Sequence, residues 1–138
     1  MAEVVFTDVL RREGLDRRVR VSSAGIGDWH VGGPADRRAA DTLRRAGYDC
    51  AHVAAQLGAE HLSADLLVAL DSEHLAVLRR LTGDAERVVL LRSFDPVAGR
   101  DLDVPDPYYI GGKRGFDEVL AMVRAAVPGL LAWVRERL

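Results

Sequence analysis

The sequence predicts an α/β fold, a doubly wound parallel sheet with helices on both faces. Two observations carry this reading. Helical stripes alternate with short apolar runs along nearly the whole chain, in the order helix, strand, helix, strand, helix, strand, helix. Two of the runs, "DLLVAL" (65–70) and "RVVLL" (87–91), are apolar without alternation, the pattern of a strand buried on both faces.

Each element has its own local reason. In residues 1–13, Ala2, Val5, Phe6, Val9 and Leu10 fall at helical spacing, and Gly14 follows as a C-terminal cap. "RVRVSSAG" alternates Val19 and Val21 with charge and reads as a short strand entering a small-residue loop. Pro34 opens a second helix, "PADRRAADTLRRAG", with Ala39, Leu43 and Ala46 inward and Gly47 at its end. After the strand at 65–70, Asp71 and Ser72 are N-cap residue types for a third helix reaching about Leu81. The strand at 87–91 follows. From about Gly115 the last helix repeats Phe116, Val119, Leu120, Val123, Val127, Leu130, Leu131 and Val134, with a kink expected upstream of Pro128. A βα repeat begins with a strand, whereas this chain begins with a helix. The reading is therefore of one domain, 1–138, N-terminally truncated, whose central first strand is missing from the sequence.

Composition narrows the function classes. Of the 138 residues, 49% are hydrophobic and 29% charged, enough for one core and contrary to disorder. A net charge of -2 argues against a nucleic-acid partner. No apolar run approaches the roughly 18 residues of a membrane span, and the N-terminus has no signal-peptide pattern. With a single cysteine, Cys50, no internal disulfide forms, and a cytoplasmic location is expected. His30, His52, His61 and His74 lack metal-ligand spacing, and neither GxGxxG nor a nucleotide P-loop is present, so no metal or cofactor is expected.

In such sheets ligands sit at the carboxyl ends of the strands. The segments leading from those ends supply Asp28, Asp71, Asp95 and Asp106, His30, and the aromatics Trp29, Tyr108 and Tyr109. Asp106, set between Pro105 and Pro107 and followed by two tyrosines, has the makings of a partly desolvated carboxylic acid able to donate a proton. On spacing alone, Asp-Pro is also ordinary turn chemistry, with the tyrosines simply packing. Trp29 and His30 lie in a Gly-rich loop, and surface packing is the plainer account of both. Cys50 has no basic partner beside it and reads as an inert filler.

The stretches "SSAGIGDWHVGGPADRRAADTLRRAGYDCAHVAAQ", "ADLLVALDSEHL", "LRSFDP" and "DVPDPYY" together resemble the low-molecular-weight protein tyrosine phosphatases, of the actinobacterial type, across almost the whole chain. The resemblance implies a phosphate-binding loop of the form Cys, five residues, Arg, Ser-Pro, whose thiolate attacks phosphorus. In that family the helix after the loop commonly begins Met-Ala-Glu, as this chain does, so the loop and its strand are expected to precede Met1. By the same resemblance Asp106 is the general acid, and Trp29, His30, Tyr108 and Tyr109 line the phosphotyrosine ring. Ser23 and His52 brace the phosphate loop, and Asp71 lies near the loop arginine. The implied substrate is a phosphotyrosine-containing protein or a small aryl phosphate, hydrolysed through a phosphocysteine. The 138-residue chain is expected to be inactive without that loop, and unpaired sheet edges offer a route to a homo-oligomer. Two alternatives stand beside this: an arsenate reductase of the same fold, which a single cysteine disfavours, and a non-catalytic relic that binds through the aromatic cleft.

Overall fold

The computed structural model describes residues 1–25, 37–49, 55–105 and 112–138, with the side chains of 112–114 left out. The helices are α1 (Ala2–Arg12), α2 (Arg37–Arg45), α3 (Ala59–Leu62), α4 (Ser72–Thr82) and α5 (Gly112–Glu136). The strands β1 (Leu67–Ala69) and β2 (Val88–Leu90) pair in parallel, with Leu67 opposite Val88, Val68 opposite Val89 and Ala69 opposite Leu90. Single 3-10 turns at Ala85–Arg87 and Leu91–Phe94 bracket β2. Among the described residues, no helix is long and apolar enough to cross a membrane.

The unbroken apolar character of β1 follows from its position between two cores. Leu67 and Ala69 pack with Leu78 of α4 and Val88, flanked by Leu57, Leu62 and Leu75. Leu66 and Val68 point the other way, against the larger core of Val5, Phe6 and Leu10 from α1, Leu43 from α2, Leu91, Val104, and the apolar stripe of α5. Successive residues of a strand face opposite sides, so a strand covered on both faces must be apolar at every position.

The helices form where their spacing places them. α5 buries Phe116, Val119, Leu120, Val123, Leu130, Leu131 and Val134. Ala126 is fully buried where the sequence spacing had selected Val127, which packs at the margin of the core. In α2 the buried residues are Ala40 and Leu43, one step from the Ala39 expected. Thr42 is also buried, its hydroxyl donating to the Arg38 carbonyl at 2.9 Å, so a polar residue sits in the core fully satisfied.

Both early glycines close their helices as expected. Gly14 (φ +71°) and Gly47 (φ +92°) are left-handed. The next residue's amide reaches back to the helix in each case, Leu15 N–H to the Leu10 carbonyl at 2.8 Å and Tyr48 N–H to the Leu43 carbonyl at 2.9 Å. With the glycine amides bonded to the carbonyls of Arg11 and Arg44, these are two Schellman motifs.

One expected strand does not form. "RVRV" carries no ladder; Val19 and Val21 pack against the core, but no described segment pairs with their main chain. Strand character requires a partner as well as alternation, and here only the alternation is present. Pairing on this side is a single parallel bridge, Gly25 with Gln56, in which Gly25 N–H donates to the Ala55 carbonyl at 2.8 Å and Leu57 N–H donates to Gly25 at 2.9 Å.

Candidate active site

The carboxyl end of β1 is where the chain collects polar groups. Asp71 is the N-cap of α4: its Oδ1 accepts the His74 amide at 2.8 Å, and His74 Nδ1 lies 3.3 Å from the same oxygen. Replacing Asp71 with Ala is expected to cost about 1 kcal/mol of stability, as for other lost caps, and Asp71→Ser to restore most of it, read from urea unfolding midpoints.

The next residue, Ser72, holds a distant segment. Its amide and hydroxyl both donate to Oδ1 of Asp103, at 2.9 and 2.7 Å. Beside them the Val104 amide donates to the Leu70 carbonyl at 2.8 Å, placing residue 104 alongside the last turn of strand backbone, where its side chain is buried. Arg92, from the 3-10 turn after β2, donates to the carbonyls of Asp101 and Asp103 at 2.8 and 3.0 Å. Asp103 N–H donates in turn to Asp101 Oδ1 at 3.0 Å. The chain that runs into Asp106 is thus held at β1, at α4 and at the turn following β2.

A second anchor lies at the start of α1. Ser23 Oγ donates to the carboxylate of Glu3, in the first helical turn, and ties the segment after "RVRV" to that helix end.

Of the site residues expected from sequence, Ser23 and Asp71 are described; Ser23 stands against the N-terminus of α1, and Asp71 at the strand end where Val104 is moored. Trp29, His30, Cys50, His52, Asp106, Tyr108 and Tyr109 lie outside the described residues. Asp95 belongs elsewhere: its carboxylate accepts the Val97 amide at 3.0 Å in a local turn. His61 Nδ1 accepts the Gly58 amide at 3.0 Å, a use internal to α3. The sequence reading missed Glu3, Arg92 and Asp103. Asp103 and Ser72 are 31 residues apart, beyond the reach of any local pattern.

Comparison with known proteins identifies the family. The family model for low molecular weight phosphotyrosine protein phosphatase matches residues 1–138. Low molecular weight protein-tyrosine phosphatase A of Mycobacterium tuberculosis is 57% identical over 139 residues, covering 100% of this chain and 85% of its own. The low molecular weight protein-tyrosine-phosphatase of Streptomyces coelicolor is 53% identical over 142 residues, covering 99% and 86%. Among solved structures, YfkJ from Bacillus subtilis superposes with a TM-score of 0.86 at 29% identity, covering 99% of this chain and 86% of that one. The α/β fold with its parallel sheet is therefore that of these enzymes, and the chain belongs to the low molecular weight phosphotyrosine protein phosphatase family.

Proposed function

We propose that the protein is a cytoplasmic tyrosine phosphatase, hydrolysing phosphotyrosine through a phosphocysteine with Asp106 as its general acid. The observation that supports this reading is the mooring of Asp103 and Val104, the residues just before Pro105 and Asp106 in sequence, at the carboxyl end of β1, where ligands bind in such sheets.

In the first half-reaction a cysteine thiolate attacks phosphorus, the P–O bond to the tyrosyl oxygen breaks, and Asp106 gives its proton to that oxygen. A phenol with a pKa of about 10 leaves poorly as its anion at neutral pH, so the proton is needed as the bond breaks. In the second half-reaction the Asp106 carboxylate takes a proton from water, the hydroxide oxygen attacks phosphorus, and the P–S bond breaks to release inorganic phosphate and the thiolate. Trp29, His30, Tyr108 and Tyr109 bound the aromatic ring of a phosphotyrosine-containing protein or small aryl phosphate. Ser23, through Glu3, together with His52 and Asp71, supports the phosphate loop.

Cys50 is not the nucleophile in this reading. The residue six places on is Gln56, so the sequence holds no Cys-x5-Arg loop. This reading takes its nucleophile from a Cys-x5-Arg loop that the 138 residues do not contain, so the 138-residue polypeptide alone is expected to turn over aryl phosphates negligibly. The test compares this polypeptide with the same chain extended by the codons read in frame ahead of Met1, using 4-nitrophenyl phosphate and mass spectrometry of the quenched enzyme. A nitrophenol burst and a phosphoryl group on an upstream cysteine are expected only in the longer protein. Family-like turnover by the 138-residue chain would remove the upstream nucleophile from the reading. A longer protein that binds aryl phosphates without turnover would replace catalysis with a binding function.

A further inference from the structure

We propose that Asp103 is a positioning residue for the general acid, its carboxylate seated on Ser72 and its carbonyl gripped by Arg92 so that the following segment presents Asp106 in one place. The inference rests on the assignment of Asp106 made above and extends it to residues outside the reacting group.

Between Asp101 and Val104 the backbone is tied at three residues: the carbonyls of Asp101 and Asp103 to Arg92, the amide of Asp103 to the Asp101 side chain, and the amide of Val104 to Leu70. Two of these partners, Arg92 and Leu70, lie elsewhere in the chain, and Ser72 of α4 adds a third through the Asp103 carboxylate. Beyond Val104 the sequence is Pro105-Asp106-Pro107. Proline fixes its own φ and restricts the residue before it, so few soft torsions separate Asp106 from the anchored backbone.

The Asp103 carboxylate is the only side chain in this set that spans to another element by accepting. Its Oδ1 meets both the first amide of α4 and the Ser72 hydroxyl, so it also profits from the positive end of that helix. Arg92 completes the clamp at a local cost. Among the described residues its Nε is buried without a hydrogen-bond partner, while NH1 is spent on the two loop carbonyls. A buried donor left unpaired is unfavourable, and the arginine retains this pose because NH1 holds the acid segment.

Positioning has a signature that stability alone does not give. A misplaced acid harms substrates in proportion to how much their leaving group needs the proton, whereas a loss of folded enzyme lowers every substrate equally. The measurement is kcat/KM for a series of aryl phosphates from phenyl phosphate to 4-nitrophenyl phosphate, using the protein that carries its upstream residues. Asp103→Ala is expected to lower kcat/KM for phenyl phosphate roughly 10–100-fold, on the scale of a 1 Å displacement, and to affect the nitrophenyl ester markedly less. Asp103→Asn keeps an Oδ1 acceptor for Ser72 and is expected to recover most of the loss. Ser72→Ala, which removes one of the two donors and is milder for folding, is expected to show the same dependence on leaving group at several-fold. Equal losses across the series, or no loss, in both Asp103→Ala and Ser72→Ala while the parent enzyme is active would overturn the positioning role and leave Asp106 as the acid. A parent enzyme without turnover would overturn the assignment of Asp106 and, with it, the role given to Asp103.

Discussion

Asp106→Asn, in the protein that carries the cysteine loop, is expected to lower kcat/KM for phenyl phosphate by about 10²–10⁴-fold, the usual contribution of a general acid. The amide is close to the carboxyl in shape and still donates a hydrogen bond, but it has no proton to transfer as the P–O bond breaks. The loss should shrink as the leaving phenol becomes more acidic, because such a phenol departs without help. Phosphate binding, which depends on the loop amides and arginine, should change little, and competitive inhibition by inorganic phosphate measures it. A loss under tenfold, or one independent of the leaving group, would show that proton transfer comes from elsewhere. The effect should exceed that of Asp103→Ala, which leaves the acid present and only loosely placed.

Gly129→Ala is expected to destabilise the fold by about 2 kcal/mol, although alanine is the better helix former. Gly129 lies inside α5, directly after Pro128, where the helix runs unbroken. A Cβ built there would sit 2.5 Å from the Phe94 carbonyl oxygen, 3.1 Å from the Phe94 Cβ and 3.2 Å from its carbonyl carbon. Two opposing effects can be compared. Helix propensity favours alanine over glycine by about 1 kcal/mol. Forcing an extra carbon into a packed site costs typically 1–3 kcal/mol, and the upper end applies because the obstacle is backbone rather than a rotatable side chain. The clash wins. Gly129→Val should be worse, since it adds bulk and gives back part of the propensity gain. Urea midpoints should fall with an unchanged slope; a neutral or stabilised Gly129→Ala would mean that the turn at Leu91–Phe94 moves aside without penalty. That turn is also the one that carries Arg92, so a shift of the turn should reach the acid segment and lower turnover more than the stability loss accounts for.

Much of the fold was legible in the sequence because its causes are local. The apolar stripe of α5, the N-cap at Asp71, and the left-handed glycines at 14 and 47 each depend on residues within one or two turns of each other. The continuous apolarity of 65–70 and 87–91 identified strands buried on two faces before any partner was known. Family membership was legible for a related reason: it rests on residue types at fixed spacing, "WHVG" and "DPYY" among them.

What only the tertiary structure decided depends on partners far along the chain. "RVRV" has the alternation of a strand but, among the described residues, no laddered neighbour, which alternation cannot announce. In α2, Ala40 faces the core where Ala39 was expected, since the rotation of a short helix is set by what it packs against. The anchors of the acid segment belong to the same class. Nothing local in Asp103, Ser72 or Arg92 marks them, because hydrogen-bond partners 11 and 31 residues apart become neighbours only when β1, α4 and the turn after β2 converge. The sequence by itself singled out Asp106 as the candidate acid. The convergence of Leu70, Ser72 and Arg92 on residues 101–104 decided how the backbone before it is held.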